Sequence, residues 1–107
     1  MIRIIIERRC KSGKEEELAK LLLELRTKAM RQPGYISSET LRSVDDPLLW
    51  LVVSTWVDVE AWRVWEAMPD RLDTGSRIEP LLATTRKVSI FEFVTRETQE
   101  SIRKIDN

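Results

Sequence analysis

The sequence predicts an α+β domain: a ferredoxin-like βαββαβ sandwich, with an antiparallel sheet and its helices on one face. Three observations predict it. The hydrophobic periods follow the order strand, helix, strand, strand, helix, strand. Residues 48–65 pass without a gap from a strand-like run, Leu48 to Val57, into an amphipathic segment that holds Trp62 and Trp65. Both faces of the strands are apolar, which a sheet with one solvated face does not need.

Taken in order, residues 2–9 form the first strand. Ile2, Ile4 and Ile6 lie on one face, and Arg3, Ile5 and Glu7 on the other. Ser12-Gly13-Lys14-Glu15 has the spacing of a capping box, and Glu15, Glu16 and Glu17 fall in the first turn, where the helix dipole favours negative charge. Leu18, Leu21, Leu22, Leu25 and Ala29 mark the buried face of a helix running to about Gln32, where Pro33-Gly34 ends it. Residues 35–43 read as the second strand, and Asp45-Asp46-Pro47 as a hairpin turn into the third. Adjacent aspartates before a proline are solvated turn residues far more often than a metal or acid–base pair. Asp58 caps the tryptophan helix, and Met68-Pro69 breaks it. Residues 70–83 read as irregular, with short helical turns interrupted at Gly75 and Pro80. The fourth strand is expected over 84–94, and a polar tail or loose helix over 95–107.

The chain of 107 residues is one domain, a folded unit over 1–94 followed by that tail. Eighteen basic and eighteen acidic residues cancel, so no global field draws in nucleic acid or an anionic membrane. The single Cys10 rules out an internal disulfide and suits a reducing cytoplasm. No apolar run reaches membrane length. Histidine is absent, which removes the commonest metal ligand and the side chain best suited to proton transfer near neutrality. Ser37-Ser38 therefore has no histidine to activate a hydroxyl, and Cys10 no base partner. No phosphate loop and no metal-ligand spacing occurs. A sheet face left bare by this fold would be a large apolar patch on a monomer, and pairing with a second copy about a two-fold axis covers it. A homodimer is expected on the pattern alone.

Several stretches resemble the antibiotic biosynthesis monooxygenase family. They are the first strand with Cys10-Lys11-Ser12-Gly13-Lys14-Glu15, then Gln32-Pro33-Gly34-Tyr35, the Asp45-Asp46-Pro47 turn, and Ser54-Thr55-Trp56 leading into Asp58-Val59-Glu60-Ala61-Trp62. The resemblance covers residues 1–94. It implies a dimeric α+β barrel, in which two ferredoxin-like sheets pack together with the helices outside. The activities it implies range from cofactor-free oxidation of anthrones and quinols to heme degradation, so it fixes the fold better than the reaction. The heme-degrading branch resembles this chain at Trp65. It departs at Arg8, where that branch uses asparagine, and near Gly75, where it places a histidine iron ligand. No cofactor and no metal is expected.

Cofactor-free oxygenation asks for a dry aromatic-walled pocket, a proton acceptor, and a donor or cation to steady the substrate anion. Trp62 and Trp65, on one helix face, are candidates for the wall, with ordinary core packing as the alternative. Arg77 or Arg42 is the candidate to hold the anion, and Glu39 to take a proton. Tyr35, Arg42, Trp50 and Trp56 are the candidate substrate-binding residues. The expected substrate is a phenolic, quinol or polycyclic aromatic small molecule, with dioxygen as co-substrate. The other reading is a non-catalytic dimer that binds a small ligand or has a structural role.

Overall fold

A computed structural model describes residues 1–95. The sheet runs β2-β3-β1-β4 and is antiparallel throughout. Its strands are β1 (Ile2–Arg9), β2 (Tyr35–Arg42), β3 (Leu49–Trp56) and β4 (Lys87–Glu92), and its helices are α1 (Glu15–Ala29), α2 (Val59–Glu66) and α3 (Pro69–Ile78). This is the expected ferredoxin-like α+β order. The expected tail, apart from Thr95, lies outside the described residues.

β1 is paired on both sides, and its register sets the two faces of the sheet. Ile2, Ile4, Ile6 and Arg8 stand opposite Trp56, Ser54, Val52 and Trp50 of β3, and all four β1 residues are buried under the helices. Arg3, Ile5, Glu7 and Arg9 share the other face with Leu49, Leu51, Val53 and Thr55. That face carries Leu41 at 49% and Phe91 at 52% exposure, so it is apolar and open in the single chain. Arg3 covers part of it by lying 5.0 Å above the Phe93 ring.

The helix side is filled in two parts. One cluster joins Ile2, Ile4, Ile6, Ala29, Trp56, Trp62 and Trp65; the other joins Cys10, Leu18, Leu22, Trp50, Ile78, Leu81 and Leu82. Along β1 the change of cluster falls between Ile6 and Cys10, where the inward residue is Arg8. The core is thus divided at a buried charge.

Three local expectations are corrected. Ser12 makes no cap bond; α1 starts after Lys14, and the Glu15 carboxylate accepts from the Gly13 amide at 2.7 Å instead. The helix stops at Ala29 rather than Gln32. Residues 70–83 are not irregular: α3 runs through Gly75 without a break, and a 3₁₀ turn, Glu79–Leu81, takes up Pro80. A proline is tolerated in a first turn, where its missing N–H has no partner to lose. The cap at Asp58 is present, with its Oδ1 accepting from the Ala61 amide at 2.8 Å. Asp58→Ala should therefore cost about 1 kcal/mol in chemical denaturation. An unchanged midpoint would show that the cap contributes nothing to stability.

Candidate functional site

Between the two clusters lies a cleft of about 50 Å³, space for roughly three to five waters at 10–15 Å³ each. Trp56, Trp62, Trp65 and Tyr35 form its aromatic part, and Leu22, Leu25 and Val52 its aliphatic part. The Tyr35 and Trp56 rings meet edge to face, 5.5 Å apart at 87°. Three hydroxyls also line it: Ser38, bonded to the Tyr35 phenol at 2.7 Å, Thr40, and Ser54, which accepts from Trp56 Nε1 at 3.1 Å. Exposed Arg26 and Thr40 belong to the lining as well, so the cleft meets solvent between α1 and the edge strand β2.

At its inner end the cleft reaches Arg8, Glu66 and Arg71. Arg8 and Arg71 also line a second, polar cavity of about 480 Å³, together with Gly75, Thr84, Thr85 and Arg86. Glu66 ties this group together. Its carboxylate accepts from Arg71 Nε at 2.9 Å and from Arg86 Nη2 through its other oxygen. Arg71 lies close against α3 because residue 75 is glycine; a Cβ there would come within 2.9 Å of Arg71 Nη1.

Arg8 has no such partner. It is 3% exposed, and neither Nε nor Nη1 finds a hydrogen-bond acceptor among the described residues. Burial, then the like charges of Arg86 and Arg71, lower its pKa to about 10, with Glu66 pulling weakly the other way. An unfilled buried guanidinium is costly, and natural structures rarely keep one without a reason.

Of the residues proposed from sequence, the structure brings Trp56, Trp62, Trp65 and Tyr35 together around the cleft. Trp50 is buried in the other cluster, with Nε1 donating to the Pro47 carbonyl at 2.9 Å. Glu39 pairs with Val53 on the open sheet face, away from the cleft. Arg77 is on the outer side of α3, bonded to Glu24 and Asp73. Arg42 is exposed at the end of β2. None of these four lines the cleft. Cys10 is a packed thiol, 1% exposed, whose pKa is pushed up by burial and by Glu15, the reverse of an activated nucleophile.

Sequence reasoning missed Arg8, Arg71, Arg86 and Glu66 as a group. One signal was available: Arg8 continues the buried alternation of Ile2, Ile4 and Ile6. The other three come from different elements and meet only in the folded chain.

The fold and the site define a ferredoxin-like α+β protein with a tryptophan-walled cleft between helices and sheet. Its sequence matches the profile of the antibiotic biosynthesis monooxygenase family over residues 1–75, and the chain belongs to that family. It is 26% identical over 98 residues to the 42.8 kDa protein in the whiE locus of Streptomyces coelicolor, covering 91% of this chain and 24% of that protein. It is 24% identical over 99 residues to protein SchA of Streptomyces halstedii, covering 92% and 26%. The chain thus spans about a quarter of the length of these curated relatives. Among solved structures, one from Nitrosomonas europaea assigned to the antibiotic biosynthesis monooxygenases superposes with a TM-score of 0.82 at 19% identity, covering 89% of this chain and 100% of that one. SnoaB, a cofactor-independent oxygenase from Streptomyces nogalater, superposes at 0.79 and 20% identity, covering 92% and 95%. At such identities the likeness speaks for the fold alone. Among the described residues no helix is long and apolar enough to cross a membrane, and no cluster of side chains suits a metal ion.

Proposed function

We propose that the chain is a cofactor-independent monooxygenase that oxidises an electron-rich phenolic or quinol-like compound in the cleft. The carrying observation is the meeting of an aromatic wall, Trp56, Trp62 and Trp65, with a buried positive cluster. A substrate hydroxyl placed against that cluster loses its proton more readily, because the anion is steadied by the uncompensated charge. Once deprotonated, such a substrate passes an electron to dioxygen itself. Glu66, the one carboxylate in the lining, is the candidate proton acceptor. The oxygenase activity named for SnoaB supports the same reading.

The proposal includes a homodimer, formed through the open sheet face and working in the cytoplasm, where Cys10 stays reduced. The exposed Leu41 and Phe91 and the half-buried Ile5, Leu51 and Val53 give that face its apolar area. Sedimentation at micromolar concentration should give twice the mass of the chain.

Oxygen uptake is the direct test. With hydroquinones and anthrones as probes, uptake should scale with protein, persist in the presence of a chelator and fall to the spontaneous rate after heat treatment. Tryptophan quenching by the same compounds without any uptake above that rate would sink the oxygenase reading and leave a binding protein.

A further inference from the structure

We propose that the ligand of this cleft is an aromatic acid, a compound bearing a carboxylate already ionised before it binds, and that Arg8 is the residue that receives the carboxylate. The inference rests on the cleft being the ligand site, as argued above, and adds the substrate's charge.

The argument begins with what Arg8 lacks. Arg71 and Arg86 both have the Glu66 carboxylate, although Arg86 Nη1 is buried without a partner among the described residues; Arg8 has no carboxylate, and both its Nε and its Nη1 are buried without one. It lines both cavities, so it stands between the aromatic cleft and the polar one. A long arginine at a surface would swing its head into water. Arg8 cannot do so, because its backbone is held against Trp50 of β3 and its inward side chain lies under the helices, 3% exposed.

Charge counting says what would satisfy it. Three guanidinium groups face one carboxylate, leaving two positive charges uncompensated around the junction. The other charged residues of the two linings, Arg26 and Glu79, are exposed and screened by solvent. A neutral phenol would bring no charge to Arg8 on entry and would supply one only after losing its proton. An aromatic carboxylate supplies one immediately and leaves the second positive charge for the phenolate that forms during oxidation. Planar carboxylates also match the fixed donor geometry of a guanidinium. The polar cavity, about 480 Å³, is of the size usual for a small-molecule site, whereas the aromatic cleft, about 50 Å³, has to widen at its mouth between α1 and β2 to admit a ring.

The test compares 2-naphthoate with naphthalene-2-carboxamide, nearly the same shape without the charge, by tryptophan quenching and calorimetry. The wild-type protein should bind the acid at least tenfold more tightly, in line with charge-assisted hydrogen bonds. Arg8→Met should erase that preference. It should also raise the thermal midpoint of the ligand-free protein, since a buried unpaired charge is replaced by an apolar chain of similar length. Arg8→Lys should keep part of the preference. Equal binding of acid and amide by the wild type overturns the proposal without need of any variant. A lowered midpoint for Arg8→Met with the preference intact overturns it too, because Arg8 would then be structural. Oxygen uptake does not enter this measurement. Preferential binding of the acid with no turnover of any phenol would defeat the oxygenase reading alone, and turnover of neutral quinols with no acid preference would defeat this one alone.

Discussion

Trp56→Ala should be the most damaging single truncation in the chain, lowering stability by about 3–5 kcal/mol. Trp56 is 1% exposed and is the largest fully buried side chain. It sits at the end of β3 opposite Ile2 on one side and Tyr35 on the other, so it closes the sheet's inner face across three strands. Its loss would remove the edge-to-face contact with Tyr35 and leave Ser54 without the indole donor. The neighbouring cleft lowers part of the cost, since a void already exists on one side of the ring. For a domain near this size each kcal/mol lowers the melting temperature by about 4–8 °C, so the loss is easy to read in a thermal scan. Trp56→Phe keeps a ring and gives up the indole bond, and should cost less than half as much. A Trp56→Ala variant within about 1 kcal/mol of wild type would mean that the cleft, not the packed core, surrounds this ring.

Gly34→Ala should come next, at about 2–5 kcal/mol. Gly34 has φ of +89°, which an L side chain adopts only with strain of roughly 1–2 kcal/mol. An added Cβ would also stand 2.5 Å from the Ala61 Cβ and 2.9 Å from Val57 Cγ2. The approach is tight because the Gly34 carbonyl accepts from the Val57 amide at 2.8 Å, which binds the entry of β2 to the residue that follows β3. Overpacking of this kind adds roughly 1–3 kcal/mol. Gly13→Ala separates the two contributions. Gly13 has nearly the same φ, +87°, and nothing within 4 Å of its would-be Cβ. It should show the strain alone. Equal destabilisation of the two variants, measured by urea denaturation, would show that the Ala61 contact yields without cost.

The fold was legible because its signals are local. Strand alternation in β1, the leucine spacing of α1 and the Asp58 cap each depend on a few neighbouring residues, and all three stand in the structure. α3 is hidden in the sequence because Gly75 and Pro80 look like breaks along the chain. A single glycine costs a helix about 1 kcal/mol, which packing against α1 and the buried Thr74, bonded to Lys28 and Glu24, overrides. The aromatic half of the site was legible for the same local reason, since Trp62 and Trp65 fall on one face of α2. The charged half was not. An arginine near a strand end reads as a surface residue, and nothing along the chain tells that Arg71 and Arg86 fold back onto Glu66. Arg77, Glu39 and Arg42 carry the same charge types along the chain, and charge type can be read from a sequence while inward direction is only partly readable.

The glycine at position 75 gives the fold a further property. Helices favour alanine there, and an alanine would strengthen α3 taken by itself. Yet its methyl would occupy the berth in which the Arg71 guanidinium rests. The Nη1 end of Arg71 would have to move aside, and that end belongs to the same guanidinium whose Nε shares Glu66 with Arg86. A missing side chain on one helix thereby governs how the charge beneath it is shared. Attempts to make this domain more robust by replacing helical glycines would, at this position, retune its chemistry instead.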